Sequence, residues 1–242
     1  MKIAKLFNEK QNNLSGVKPI TIAFLGDSVT QGCFECYLTS KTTFDTVFDY
    51  KSAYSTRVRE ILNTLYPTVQ INIINAGISG DSAPAGLKRL ERDVLSFNPD
   101  LVVVSYGLND SVSGIENIES YANALTEIFK KLKENNIETI FLTQNYMNTT
   151  ISPHLKDEVL LNLAVKLKDK VQNNNTLKEY FVKAKELAKK FDVTVCDLYS
   201  VWEKMDKAGV RVTDLLANKL NHPIREYHYY IAIKLIECML GA

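Results

Sequence analysis

The chain has 242 residues, of which 45% are hydrophobic and 24% are charged, and its formal net charge is +1. This composition is typical of a globular protein with a buried core, and the near-neutral charge gives no overall reason to expect a nucleic-acid or membrane-surface partner. The sequence contains no signal-peptide core and no apolar run approaching the roughly 18 residues of a membrane span, so we expect a cytoplasmic protein. In that compartment the four cysteines are expected to be reduced thiols.

Short apolar runs predict the strands of a parallel sheet. Their apolar character is continuous rather than alternating, which indicates burial on both faces of the sheet. The runs lie at residues 20–25, 71–74, 101–104, 139–142 and 193–195.

Amphipathic helices are predicted between these strands, because apolar residues recur there at spacings of three and four. The lysine-rich stretch 155–190 mixes both charge signs and is interpreted as one or two solvated helices that break near residues 173–175. The apolar spacings lie at residues 54–65, 87–94, 118–132 and, for a final helix, 227–235. Alternating strands and helices predict an α/β fold with helices on both faces of the sheet. The absence of repeats and linkers predicts a single domain over residues 1–242.

In an open α/β sheet, ligands bind beyond the carboxyl ends of the strands. Ser28 follows the first predicted strand in the sequence Gly26-Asp27-Ser28. It could be a helix N-cap, or a nucleophile at a strand-to-helix turn. The surrounding residues do not form the Gly-x-Ser-x-Gly elbow, which disfavours an ordinary α/β-hydrolase.

The ends of the next two strands contain candidates for binding an oxyanion. Gly80 follows the second strand, where a glycine either permits a tight turn or lets a substrate oxygen approach a backbone N–H. Asn109 follows the third strand, where it could be a turn residue or provide a side-chain amide donor.

His222 is the candidate general base among the three histidines. His154 follows a proline in a predicted loop, and His228 lies within the last helical pattern. His222 immediately precedes that helix, where a loop can return to the sheet edge. An imidazole with a pKa of about 6–7 suits proton transfer near neutral pH.

Four segments in this order resemble the SGNH (GDSL-like) hydrolase family. They are Gly26-Asp27-Ser28, Ile78-Ser79-Gly80-Asp81, Gly107-Leu108-Asn109-Asp110 and His222-Pro223. The resemblance extends over about residues 20–240 and implies a flavodoxin-like three-layer α/β/α sandwich. It also implies a serine acyl-enzyme mechanism without metal or organic cofactor. The implied oxyanion donors are the N–H groups of Ser28 and Gly80 and the side chain of Asn109.

The expected function is therefore the hydrolysis of a small-molecule carboxylic ester. Short strand-edge loops and the lack of an apolar lid favour a short acyl group, with acetyl on a carbohydrate as one example. Thioesters and lysophospholipids remain open, as does the oligomeric state. Two rivals are a non-catalytic carbohydrate- or anion-binding module on the same fold, and a flavodoxin- or receiver-like domain that uses Asp27.

One position departs from the family pattern. An aspartate usually stands three residues before the histidine, and Lys219 occupies that position here. The nearest upstream acid is Asp214, which either reaches the imidazole or caps a turn with its carboxylate. The alternative is a Ser–His pair whose ring is oriented by a backbone carbonyl, and we favour the capping role for Asp214.

Two further features lie shortly after the serine. Cys33 and Cys36 have the C-x-x-C spacing, but no second pair exists to complete a metal site, so we expect no such role. The stretch from Phe34 to Tyr54 is rich in aromatic residues. It is expected either to pack against the sheet or also to line the substrate pocket.

Overall fold

A five-stranded parallel sheet forms the centre of the computed structural model, which describes residues 1–241. A separate two-stranded sheet lies outside it. The strands are β1 (Ile20–Gly26), β2 (Cys33–Leu38), β3 (Phe44–Phe48), β4 (Ile71–Gly77), β5 (Leu101–Ser105), β6 (Glu138–Leu142) and β7 (Thr194–Cys196). The central order is β4-β1-β5-β6-β7, with all pairs parallel. Counting only these five strands, it is the 2-1-3-4-5 order of flavodoxin-like folds, which confirms the predicted fold class.

Burial of the strands follows their place in the sheet. Every residue of β1 and β5 is buried, because each has a strand on both sides and helices on both faces. The prediction of burial on both faces is wrong for β4. As an edge strand it mixes exposed and half-buried residues and has a single buried one.

Helices cover both faces of the central sheet. α1 and α3 pack with α10 on one side, and α4, α6 and α8 pack together on the other. The helices are α1 (Lys2–Asn12), α2 (Ser28–Gln31), α3 (Tyr54–Leu65), α4 (Ala83–Asp93), α5 (Leu108–Ser111), α6 (Ile118–Glu134), α7 (Glu158–Leu167), α8 (Thr176–Phe191), α9 (Leu198–Lys207) and α10 (Arg225–Leu240). Within residues 1–241, no helix combines the length and the apolar character needed to cross a membrane.

The helix pattern agrees with most of the sequence predictions. The predicted break near residues 173–175 is confirmed: a π-helical turn over Lys168–Gln172 follows α7, and Asn175 adopts a left-handed φ of 67° before α8 begins. Helices α1 and α9 were not predicted.

The aromatic stretch after the serine forms the antiparallel hairpin β2–β3. Only part of it packs against the sheet: Phe34 and Tyr54 are fully buried, and the Tyr54 ring contacts Phe24 of β1 with a centroid distance of 5.6 Å. Tyr37, Phe44, Phe48 and Tyr50 are exposed. The hairpin therefore projects from the sheet beside the carboxyl end of β1.

A buried arginine fixes the ends of the strands that carry the site. Arg89 on α4 donates to the carbonyl of Gly26 at 3.0 Å and to that of Ala76 at 2.6 Å. It also pairs with Asp81 at 2.6 Å and donates to the Tyr106 hydroxyl at 2.8 Å. Removing one partner of a buried ion pair costs about 3–5 kcal/mol, because the other charge is left without compensation. This network therefore makes the carboxyl ends of β1, β4 and β5 a rigid platform.

Candidate active site

A serine and a histidine meet at the carboxyl end of β1. Ser28 is the first residue of α2, and His222 lies in the loop before α10. The Ser28 Oγ is 3.0 Å from the His222 Nε2, although the two residues are 194 positions apart in the chain. Ser28 is 4% exposed and His222 is 6% exposed. A hydroxyl within hydrogen-bond distance of an imidazole nitrogen is the arrangement that activates a serine nucleophile.

The second imidazole nitrogen fixes the tautomer of His222. Its Nδ1 lies 2.9 Å from the backbone carbonyl oxygen of Phe34 on β2. A carbonyl oxygen can only accept, so the Nδ1 of the neutral ring carries the hydrogen. The Nε2 is then unprotonated and accepts the hydrogen bond from the Ser28 hydroxyl.

The imidazole of His222 hydrogen-bonds neither to Asp214 nor to Lys219, which occupies the usual position of the acid. Asp214 lies in a 3₁₀ turn over Val212–Leu215, and its half-exposed carboxylate pairs with Arg211 at 3.1 Å. This pairing with Arg211 gives no support to the predicted capping role. Lys219 donates from Nζ to the Asp214 carbonyl at 3.0 Å. Of the alternatives left open by the sequence, the geometry corresponds to the backbone carbonyl.

A single asparagine shapes the loop that carries His222. The Oδ1 of Asn218 accepts from the backbone N–H groups of Leu220 at 3.0 Å, Asn221 at 2.9 Å and His222 at 3.0 Å. The loop is closed by the Ala217 N–H, which donates to the His222 carbonyl at 2.7 Å. Sequence reasoning missed Asn218, although an asparagine is a common organiser of tight loops.

Two of the three predicted oxyanion donors, Gly80 and Asn109, lie on segments that a hydrogen bond joins. Gly80 has a φ of +79°, a left-handed conformation that favours glycine, and a Cβ there would contact nothing within 4 Å. The Asn109 Nδ2 donates to the Asp81 carbonyl at 2.8 Å, which joins α5 to the turn that contains Gly80. An amide nitrogen has two hydrogens, so the second remains available to a ligand.

All four predicted site residues line one cavity of about 430 Å³. The apolar wall of the cavity comes largely from β3, α7 and the loop before His222. Its members are Phe44, Val112, Leu163, Leu167 and Leu220. Phe44 belongs to the aromatic stretch after the serine, so part of that stretch lines the cavity, which is one of the two sequence-based expectations. Helix α7 lies far along the chain from the motifs, and they gave no sign of it.

Comparisons with known proteins agree with this fold. A profile of the GDSL-like lipase/acylhydrolase family matches residues 24–228. The chain belongs to this family.

This chain is similar to a curated relative and to solved structures. An acetylxylan esterase of Geobacillus stearothermophilus is 32% identical over 89 residues, which span 37% of this chain and only 39% of that relative. A solved acetyl xylan esterase has a TM-score of 0.66 at 20% identity and covers 90% of this chain and 99% of its own. The lipase/acylhydrolase from Enterococcus faecalis has a TM-score of 0.67 at 20% identity, covering 92% of this chain and 96% of its own. The two structural matches establish the shared fold.

Asp27 of the GDSL-like motif is fully buried behind Ser28. Its Oδ1 accepts from the Val29 N–H at 3.0 Å, and its Oδ2 accepts from the Gln144 side chain at 2.8 Å. Burial raises the pKa of Asp27 to about 7. Because both oxygens are occupied and none faces the cavity, the structure gives no support to the receiver-like rival that needs an accessible Asp27.

The C-x-x-C cysteines are free thiols of β2. Burial raises the pKa of Cys33 to about 12 and also raises the pKa of Cys36. Across residues 1–241, no three His, Cys, Asp or Glu side chains are grouped so that they could hold a metal ion.

Burial also changes the basicity of the histidine. Desolvation lowers the pKa of His222 to about 4, and it outweighs the opposing effects of the Phe34 carbonyl and the Glu35 charge, which both raise it. The sequence-based expectation of an ordinary pKa of about 6–7 therefore needs correction. The neutral ring, which can accept a proton, is the dominant form at neutral pH and remains so down to about pH 4.

We expect the imidazole of His222 to titrate well below the ordinary histidine value of about 6.5. The pH profile of kcat/KM should rise at an equally low pH, because the base is active only when the imidazole is neutral. NMR titration of the imidazole C–H signals measures this pKa directly. The His154→Gln variant assigns the signal of the exposed His154 as a reference. A His222 signal that titrates at or above pH 6.5 would contradict the burial argument.

Proposed function

We propose that this chain hydrolyses carboxylic esters through an acyl-enzyme intermediate on Ser28. The observation that carries the proposal is the 3.0 Å contact between the Ser28 Oγ and the His222 Nε2, with the Nδ1 of the same ring bound to the Phe34 carbonyl. Membership of the GDSL-like lipase/acylhydrolase family supports the reaction class.

In the first half-reaction, the His222 Nε2 takes the Ser28 proton while the Oγ attacks the ester carbonyl carbon. The carbonyl oxygen becomes an oxyanion, and the N–H groups of Ser28 and Gly80 and the second amide hydrogen of Asn109 stabilise it. The imidazolium then donates its proton to the departing alcohol oxygen as the C–O bond breaks. In the second half-reaction, His222 deprotonates a water that attacks the acyl carbon, and the acid leaves as Ser28 regains its proton.

The size of the cavity favours a short acyl group. Ligand cavities range over about 300–1,000 Å³, and this one, at about 430 Å³, must hold both the acyl group and the adjoining part of the alcohol. Acetyl on a carbohydrate is the substrate class that we propose. The activity named for the acetylxylan esterase of Geobacillus stearothermophilus supports it, as does that named for the solved acetyl xylan esterase.

The apolar wall favours a second candidate, an ester with a longer acyl chain. Phe44, Leu163 and Leu167 would bury such a chain. Each Å² of apolar surface removed from water would add about 25 cal/mol to the binding free energy in favour of the complex. This candidate uses the same serine and histidine, so acyl-chain preference separates the two.

Ser28→Ala should abolish hydrolysis while the protein remains folded. Loss of the nucleophile in a serine hydrolase costs on the order of 10⁶ in kcat. Hydrolysis of nitrophenyl acetate and covalent labelling by a fluorophosphonate both measure it, and mass spectrometry should locate the label on Ser28 of the parent. If the variant turned over normally, or if the parent bound acetylated sugar without hydrolysing it, the non-catalytic binding module would be the better description.

Asn109→Ala should lower kcat much more than it changes KM, because the oxyanion exists only beyond the ground state. Removing one such donor costs roughly 10²–10³ in kcat. Steady-state kinetics on nitrophenyl acetate measure the effect. Asn117→Ala is the control, because the side chain of Asn117 is exposed and donates only to the Ser113 carbonyl. A rise in KM alone would make Asn109 a ground-state contact.

We expect kcat/KM to be highest for acetyl or butyryl among nitrophenyl esters from acetyl to dodecanoyl, and acetate to be released from acetylated xylo-oligosaccharides. Leu163→Ala enlarges the cavity and should reduce the preference for acetyl over octanoyl. Leu65→Ala, an exposed leucine of α3 that does not line the cavity, should leave it unchanged. A parent enzyme that prefers octanoyl to acetyl would favour the longer-chain candidate.

A further inference from the structure

The acceptor for the His222 Nδ1 belongs to a β-bulge. In the β2–β3 hairpin, Cys33 pairs with Phe48 and Cys36 pairs with Thr46, so Phe34 and Glu35 together lie opposite Val47. A bulge of this kind re-aims backbone groups beside functional sites. An isolated two-stranded ribbon is at best marginally stable in water. The position of the Phe34 carbonyl therefore requires something outside the ribbon to hold it.

Arg225 contacts the bulge in β2 and the residue that follows β3. It is the first residue of α10 and follows His222 by three positions. Its Nη1 and Nη2 donate to the two carboxylate oxygens of Glu35 at 2.6 and 3.0 Å, and its Nε donates to Asp49 at 2.9 Å. Its guanidinium also lies over the Phe34 ring at 4.3 Å from the centroid. One side chain thus joins the bulge, the end of the hairpin and the segment that carries the histidine.

The contacts are better suited to holding a geometry than to adding stability. Partly exposed ion pairs contribute little to the free energy of unfolding. A planar guanidinium that binds a carboxylate through two parallel hydrogen bonds does fix distance and angle, and lysine cannot reproduce this. Reactivity is sensitive to such placement, since a misplacement of about 1 Å can cost roughly 10² in rate.

Arg225, Glu35 and Asp49 also supply charge near the position where the family aspartate is missing. Two carboxylates, Glu35 and Asp49, and one guanidinium leave a net charge of one negative unit beside the imidazole. The charge of Glu35 favours the protonated form of His222. The other titratable groups nearby are His228 on α10, Cys36 on β2 and Asp27 behind the serine. His228 and Cys36 are neutral at pH 7, because burial lowers the pKa of His228 to about 3 and raises that of the Cys36 thiol.

We propose that Arg225 is a positioning residue that, with Glu35 and Asp49, holds the Phe34 carbonyl against the His222 Nδ1 and so takes over the orienting role of the absent aspartate. The inference rests on the proposed function for its kinetic consequence. The geometric part, which concerns the imidazole alone, can be measured without turnover.

The test compares Arg225→Met and Arg225→Lys with the control Arg211→Met. Arg211 also pairs with an aspartate shortly before His222, but that pair lies on the surface and does not contact the imidazole or Phe34. Arg225→Met should lower kcat by roughly 10², with KM changed less than about threefold. The kcat of Arg225→Lys should lie between those of the parent and Arg225→Met, because lysine keeps the charge but cannot form two parallel hydrogen bonds to Glu35. Arg211→Met should behave as the parent.

Two readouts separate positioning from a merely structural role. The NMR signal of the His222 Nδ1 hydrogen should move or exchange faster in Arg225→Met while the thermal midpoint changes little. Glu35→Gln, which keeps a hydrogen-bonding group of the same shape, should lower the pKa of His222. If Arg225→Met does not fold, the signal of the His222 Nδ1 hydrogen in Arg225→Lys decides the question. Unchanged kcat and unchanged His222 signals in the folded variants would overturn the proposal.

A parent that neither hydrolyses esters nor reacts with a fluorophosphonate would instead overturn the proposed function, and the His222 signals would still test the positioning.

Discussion

The geometry of the site depends on one hydrogen bond, from the His222 Nδ1 to the Phe34 carbonyl. It determines which ring nitrogen carries the hydrogen, and through that tautomer it decides that the Nε2 faces Ser28 as an acceptor. A carbonyl has no ionisable form, so the tautomer preference holds wherever the ring is neutral. A carboxylate would add a charge-assisted bond of about twice the strength. The chain makes up for the weaker acceptor with rigid placement, which explains why the loop, the bulge and the start of α10 are so closely interconnected.

The second requirement is that the strand ends keep their relative positions. Ser28, Gly80 and Asn109 follow three different strands, so the proposed oxyanion donors are aligned only if β1, β4 and β5 end in register. The pairing of Gly26 with Gly77 and with Ser105 provides that register. Arg89 binds the carbonyls at the ends of β1 and β4. It also pairs with Asp81, which follows Gly80 in the turn after β4. The rigid part of the site is thus built on the parallel sheet, and the histidine is brought to it by a separate loop.

The sequence predicts the sheet-borne part of the site well, because parallel strands give continuous apolar runs and their carboxyl ends collect polar residues. It also identifies His222, since a histidine before the last helix has a loop's freedom to reach the sheet. The Phe34 carbonyl could not be predicted, because a backbone acceptor leaves no residue-type signature. The hairpin escaped notice because its exposed aromatic residues break the alternation that usually marks a half-buried strand. Asn218 and the leucines of α7 act through contacts that are distant in sequence, which periodicity cannot report.

Burial of His222 has opposing consequences for a base. The lowered pKa, about 4, keeps the ring neutral and ready to accept a proton, but a weaker base gains less from proton transfer in the transition state. The imidazolium formed there must be stabilised by its surroundings rather than by solvent. The carbonyl dipole of Phe34 and the charge of Glu35 both act in that direction. Bound substrate would exclude water from the cavity and strengthen both interactions, because electrostatic energies rise as the local dielectric constant falls. The hairpin that carries Phe34 and Glu35 is therefore the part of the fold that favours the protonated ring.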